Sequence, residues 1–181
     1  MLKVTDSFLS DKNFENIKSI IMGDNFPWFY YSNIVYKGGD SENLDTTGAR
    51  DFFFGHVFLE NGMANSEFLS ILQPVVDKLD IEELLRIKGN LSTKTIAVSA
   101  DGWHCDMQTD NKPLNSTTAI LYLNDCDGYT EIIDEKGTTH TINSKANRFV
   151  TFPNSFLHSG FSQTNTKVRV LINFNYYERK K

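Results

Sequence analysis

Cysteine is scarce in this chain. Two occur among 181 residues, Cys105 and Cys126, in contexts that suggest no disulfide framework, so the default reading is a reducing compartment, the cytoplasm. Long apolar runs are missing too: no stretch approaches the roughly 20 residues of a membrane span. The first eighteen residues are too polar for a signal peptide. A basic surplus is also absent. Lys and Arg number 18 against 23 Asp and Glu, giving a charge of −5 and a pI near 5.3, so nucleic acid is the less favoured partner. What remains is a soluble chain with no membrane partner.

Aromatic residues are what the chain has in excess. They make up 13% of it, with 14 Phe and 7 Tyr, and lean the reading towards strands. The length suits one domain over 1–181 with a core of its own, in which 1–83 support a strand-rich core over 84–177. Asp11 is read as capping a helix whose Phe14, Ile17, Ile20 and Ile21 share a face. A second helix is expected from Ser66, kinked or split at Pro74. Strands are expected at 51–58, 84–91, 95–99, 103–107, 117–123, 129–133, 138–142, 147–152 and 167–177. Helices first and about eight core strands after them suit a mainly β fold, a double-stranded β-helix (jelly roll) with N-terminal helices packed on one sheet.

Two strands sharpen that expectation. Val168, Val170, Ile172 and Phe174 are uniformly apolar, whereas Arg169, Leu171, Asn173 and Asn175 are mostly polar. Thr118, Ile120 and Tyr122 alternate likewise with Ala119, Leu121 and Leu123. One face of each strand suits a sheet–helix core, and the mixed face suits a barrel interior that holds a polar ligand.

Chemistry concentrates around Trp103-His104-Cys105-Asp106. On an extended segment, residues two apart point the same way at about 6–7 Å between Cα atoms, so His104 and Asp106 can grip one ion. A His-x-Asp pair alone arises often by chance. His158 supplies a second imidazole, and Arg169, eleven residues further on, begins a strand on its mixed face. Two imidazoles and one carboxylate on one side of a metal leave open positions, the arrangement of non-haem Fe(II) oxygenases. The Arg169 guanidinium can hold a carboxylate through two parallel hydrogen bonds, and Tyr122 on a neighbouring strand can donate to the same group.

His104-x-Asp106, His158 and Arg169 together resemble the iron and 2-oxoglutarate motif of the 2-oxoglutarate/Fe(II)-dependent dioxygenase superfamily. Ile120-Leu121-Tyr122-Leu123-Asn124, Gly128-Tyr129-Thr130-Glu131 and Asn147-Arg148-Phe149-Val150-Thr151-Phe152-Pro153 resemble strands of its prolyl 4-hydroxylase-like branch. The likeness covers roughly 84–177 and is similar in particular to small stand-alone oxygenases of phages and marine bacteria. It implies that His104, Asp106 and His158 ligate Fe(II). It implies too that Arg169 and Tyr122 bind the 5-carboxylate of 2-oxoglutarate. Asn173 stands where relatives often carry a hydroxyl residue and is the third residue assigned to that cosubstrate. O2 is the other cosubstrate, and hydroxylation of a C–H bond in a peptidyl (prolyl-type) residue or a small molecule is the expected reaction. Retention of Asp106 argues against the halogenase variant.

Other residues take plainer readings. His56, in a Phe-rich strand, is structural or lines a mouth; His140 is the rival third ligand. Cys105 is expected to face away from the metal. Arg86 and Asn90 share a strand face that can look into the pocket as substrate contacts, and 37–50 is either linker or a lid. The competing function is a non-catalytic, cupin-like binding module with a structural metal pair. Such a module has no need of the Arg169–Tyr122 carboxylate anchor.

Overall fold

The computed structural model describes residues 1–32 and 52–179, so the segment read as linker or lid lies outside the described residues. Thirteen strands follow in chain order: β1 (Lys3–Thr5), β2 (Phe29–Tyr31), β3 (Phe53–Glu60), β4 (Met63–Ala64), β5 (Ile81–Thr93), β6 (Gln108–Thr109), β7 (Lys112–Pro113), β8 (Thr117–Tyr122), β9 (Tyr129–Ile133), β10 (Thr139–Asn143), β11 (Phe149–Pro153), β12 (Leu157–Phe161) and β13 (Val168–Glu178). A major sheet has the order β1-β11-β8-β13-β5-β3-β2, with β4 on β3; a minor sheet has the order β10-β9-β12. On the free side of β12, His104 and Ala100 make isolated antiparallel bridges to His158 and Phe161. Four positions in each sheet, β5-β13-β8-β11 facing the bridged segment-β12-β9-β10, make a jelly roll.

Strand alternation decides what each face packs against. Ala119, Leu121, Val170, Ile172 and Phe174 point outward, into a cluster with Phe14, Ile17 and Ile21 of helix α1 (Asp11–Ile21) and with Leu72 and Val75. Inward, Ile120, Tyr122, Val150, Phe152 and Leu171 meet Ile132, Ile142 and Phe156 between the sheets. The polar members of the inward set, Arg169, Asn173 and Asn175, are buried there as well. Among the described residues, no helix is long and apolar enough to cross a membrane.

Several local expectations change. Ser10, not Asp11, caps α1, since its extended backbone lets Oγ accept the Asn13 N–H at 3.4 Å; Asp11 lies in the first turn. Pro74 splits the second helix into a 3₁₀ stretch, Glu67–Leu72, and a single α turn, α2 (Gln73–Val76). Residues 95–99 are not a strand. They are stitched to the fold through Ser162 Oγ, which receives the Ser99 N–H at 2.8 Å and the Thr95 hydroxyl at 2.7 Å. Residues 103–107 are not a strand either, and only His104 pairs in ladder fashion.

Candidate active site

His104 and His158 face each other across one antiparallel bridge, exchanging both backbone hydrogen bonds at 3.0 Å. Directly opposed residues send side chains to the same face, and the ring centroids lie 4.4 Å apart. The His104 Nδ1 lies 3.0 Å from the Gly102 carbonyl, which directs Nε2 into the cleft. His158 Nδ1 leans more weakly on the Phe156 carbonyl, at 3.5 Å, and its buried Nε2 has no hydrogen-bond partner.

Asp106 completes the group, though strand alternation does not put it there. It sits at a bend and is drawn inward by two side chains. Arg86 Nη2 donates to Oδ1 at 3.0 Å, and Asn175 Nδ2 donates to Oδ2 at 3.0 Å. Oδ1 lies 4.0 Å from His104 Nε2 and 3.8 Å from His158 Nε2, and one ligand atom from each residue falls within 4.8 Å of the others. Burial alone would raise the Asp106 carboxyl. Arg86, the two imidazoles and the Asn175 amide outweigh it and hold the group well below the usual carboxylate range. Burial, with His104 adding, pushes the His158 imidazolium down to about 4, so the ring is neutral near pH 7. Two imidazoles, one ionised carboxylate and the orphaned Nε2 of His158 fit a divalent transition metal held on one face.

The bend bearing Asp106 is itself held from below. Asn154, fully buried after β11, accepts the Met107 N–H at 3.0 Å and donates to the Met107 and Leu114 carbonyls at 2.7 and 3.1 Å. Thr118 Oγ1 links Asn154 Oδ1 to Asn175 Nδ2, at 3.3 and 3.1 Å, so one chain of hydrogen bonds joins the bend to the Asp106 carboxylate.

Further along β13 lies a cationic end. Arg169 is buried, with Nε donating to Ser144 Oγ at 2.6 Å and Nη2 to Thr130 Oγ1 at 2.8 Å. Tyr122 also donates to Thr130 Oγ1, at 2.9 Å, and its ring lies under the guanidinium at 5.6 Å. Burial raises the Tyr122 hydroxyl despite that nearby positive charge. Gly128 is needed here: a Cβ on it would fall 2.8 Å from Arg169 Cδ and 2.9 Å from the Phe161 carbonyl.

The structure therefore brings His104, Asp106 and His158 together and puts Arg169 and Tyr122 on one wall. Asn173, between Arg169 and Asn175 on the same face, is buried and its Oδ1 has no partner among the described residues. Arg86 does look into the pocket, but as the ion-pair partner of Asp106; Asn90 shares its face. His56 is a core residue between the Pro27 carbonyl and Ser66 Oγ, both at 2.7 Å. His140 pairs with Asp134 at 2.8 Å on the β9–β10 hairpin, away from the cluster. Both cysteines are free. Sequence reasoning missed Thr130, Ser144, Asn154 and Asn175. Only Asn175, two residues from Asn173 on the polar face of β13, carried a periodic signal.

No protein-family profile matches the chain, and no curated protein matches it in sequence. Solved structures do match. A prolyl 4-hydroxylase from Pseudomonas putida shares 16% identity over 98% of this chain and 92% of its own, with a TM-score of 0.59. A Trichoplax adhaerens prolyl hydroxylase, solved with a peptide fragment of hypoxia-inducible factor, shares 14% over 98% and 83%, with a TM-score of 0.65. An oxidoreductase of the 2OG-Fe(II) oxygenase family from Burkholderia pseudomallei shares 10% over 99% and 86%, with a TM-score of 0.70. The chain thus has the fold of the 2-oxoglutarate/Fe(II) oxygenases, prolyl hydroxylases among them.

Proposed function

We propose that this protein is a 2-oxoglutarate- and Fe(II)-dependent oxygenase that hydroxylates a C–H bond of a peptidyl residue, prolyl-type, or of a small molecule. The observation that carries the reading is the convergence of two Nε2 atoms and Asp106 Oδ1 within 4.8 Å, on the cleft that also buries Arg169. Fe(II) with 2-oxoglutarate and O2 supplies the oxidation of C–H to C–OH, 2-oxoglutarate leaving as succinate and CO2. The residues of the chain do the rest. The Nδ1 contacts of His104 and His158 orient both rings, and Asn175 fixes one carboxylate oxygen of Asp106 so that the other is presented. Arg169, held in place by Ser144 and Thr130, receives the 5-carboxylate of the cosubstrate, with the Tyr122 hydroxyl beside it and Asn173 further along the wall. The apolar cluster between the sheets keeps water from that end. The built carboxylate anchor distinguishes this reading from a metal-only binding module.

Anaerobic addition of Fe(II) and then 2-oxoglutarate tests it. A visible charge-transfer band is expected in the wild type, lost in His104→Ala and in His158→Ala, with slow succinate formation in air. Arg169→Ala is expected to raise the 2-oxoglutarate requirement strongly while iron still binds. Absence of both the band and succinate with iron-loaded wild type would overturn the proposal.

A further inference from the structure

A third cation, besides Arg86 and Arg169, stands in the cleft, and neither the metal group nor the Arg169 end accounts for it. On β5, Ile87 points outward into the helix-side core and Arg86 points inward to Asp106, so alternation sends Lys88 inward too. Across the ladder Lys88 is paired with Asn173 on one side and Val57 on the other. Directly paired residues in an antiparallel sheet have Cβ atoms about 5 Å apart, so the Lys88 stem and the Asn173 amide are immediate neighbours.

The ammonium is held in an unusual way. Its Nζ lies 4.5 Å from the Tyr31 ring centroid and 4.6 Å from that of Phe53, and the two rings stack at 4.9 Å with planes 15° apart. Gly55 leaves the room: a Cβ there would meet Tyr31 Cε2 at 2.9 Å, Lys88 Cε at 3.1 Å and Phe53 Cε2 at 3.2 Å. Burial, with the like charge of Arg86 adding, lowers the Lys88 ammonium to about 8. Among the described residues no carboxylate forms an ion pair with it and no side chain hydrogen-bonds to it. Aromatic faces attract a cation but accept no strong hydrogen bond, so the N–H groups turned away from the rings keep their capacity. Beside them Asn173 is only 8% exposed and its Oδ1 has no partner. In a chain of net charge −5, this wall sets Arg86 and Lys88 against Asp106 and against Glu60, which pairs with Arg86 across the β3–β5 ladder.

We infer that Lys88, lying against the stacked rings of Tyr31 and Phe53 and flanked by Asn173, is the anchor for a carboxylate carried by the substrate. The inference rests on the proposed oxygenase reading and deepens it: the substrate is an anion, held at a point on the wall separate from the Arg169 end. A carboxylate is the group that turns a partly desolvated ammonium, without an ion pair among the described residues, from a cost into a contact. The Asn173 Nδ2 amino group can donate to the same ligand, and its unpartnered Oδ1 can accept from the Lys88 ammonium. The carboxylate can be the terminal group of an amino acid or an acidic side chain next to the reacting residue in a peptide.

The test is direct binding, by calorimetry, to protein loaded anaerobically with Fe(II) and 2-oxoglutarate. Two matched probe pairs separate the sources: N-acetyl-proline against its amide, and acetyl-Pro-Asp-amide against acetyl-Pro-Asn-amide. At least one acid is expected to bind about tenfold more tightly than its neutral partner, the factor one charge-assisted contact supplies. Lys88→Met, which keeps the stem, should erase that preference, and Lys88→Arg should keep most of it. Thermal melting of both variants checks that they fold. Equal binding of acid and amide in both pairs, binding by neither acid, or a preference that survives in Lys88→Met overturns the inference. A loss of 2-oxoglutarate affinity in Lys88→Met also overturns it, by assigning the residue to the cosubstrate. Where the wild type shows the charge-transfer band, these failures fall on Lys88 alone; where it does not, the oxygenase reading falls and takes the anchor with it.

Discussion

On its outer face β13 offers Val170, Ile172 and Phe174 to the helices, and on its inner face Arg169, Asn173 and Asn175 to the cleft. The same eleven residues therefore serve two purposes. The outer set is closely packed hydrocarbon, whose removal leaves a cavity. The inner set is as deeply buried, but its contacts are polar and directional, and it places charge around Asp106 and Thr130. Stability should depend most on the first face, and ligand geometry on the second. Phe174→Ala is the strongest test of that division. The ring is fully buried beside Phe149, so its loss should cost about 3–5 kcal/mol, read as a drop in the denaturant midpoint. A loss below about 1 kcal/mol would mean that the outer face is not the main support.

Asn154→Ala sharpens the comparison, because Asn154 is polar and still structural. Its amide carries three hydrogen bonds to the chain around Met107 and Leu114, in a site with no exposure. Removing it leaves buried backbone groups unsatisfied and should cost about 2–3 kcal/mol. It should also weaken Fe(II) binding, since Asp106 is next to Met107 and shares the Thr118–Asn175 link. Calorimetric iron titration alongside unfolding curves would read both. Lost stability with unchanged iron affinity would show that the bend keeps its shape without this staple.

The residues that were legible beforehand are those whose position follows from period or from chemistry. Alternation in β8 and β13 assigns every residue to a face, and the histidine and carboxylate set follows from what a metal needs. Pro74 marks a break because it lacks an N–H. Residues 95–99 and 103–107 read as strands for a poorer reason. An extended chain rich in Thr, Val and Trp looks the same whether a neighbouring strand or a set of side chains satisfies its backbone. Here Ser162 and Asn154 satisfy it, from positions 63 and 47 residues away for Ser99 and Met107. The partner of Asp106 was hidden likewise. Arg86 lies twenty residues upstream, and only the pairing of β5 with β13 brings it beside Asn175.

Within the inner face, Thr130 offers a smaller and more selective perturbation. Its Oγ1 accepts from both Tyr122 and Arg169, so Thr130→Val keeps the shape and strips two buried donors of one acceptor. A stability cost of about 1–2 kcal/mol is expected. The larger change should be in the 2-oxoglutarate requirement, because the guanidinium then keeps only its Ser144 contact among those hydrogen bonds. Iron titration should be unaltered. A variant that changed iron binding and left the cosubstrate requirement alone would reverse the assignment of the two ends of the cleft.

The smallest effect belongs to a pair on neither face. Asp6, just after β1, takes Arg148 Nε on Oδ1 at 2.7 Å and Lys145 Nζ on Oδ2 at 2.9 Å, tying the chain there to the turn between β10 and β11. The Arg148 hydrogen bond, then that from Lys145, holds the Asp6 carboxyl well below its ordinary 3.8. The carboxylate is 40% exposed, so solvent screens the pair and Asp6→Asn should cost only about 0.5–1 kcal/mol near pH 7. Because the folded-state value is depressed, the unfolded chain takes up the proton first as pH falls. The stabilisation is therefore complete above about pH 4–5 and is lost progressively below it. Urea midpoints of wild type and Asp6→Asn should differ by a constant amount from pH 7 to 5 and draw together below about pH 4, closing only as pH falls through the depressed folded-state value. A gap that did not narrow at all between about pH 5 and pH 2 would show that the tether works through shape or neutral hydrogen bonds, with the charge on Asp6 contributing nothing.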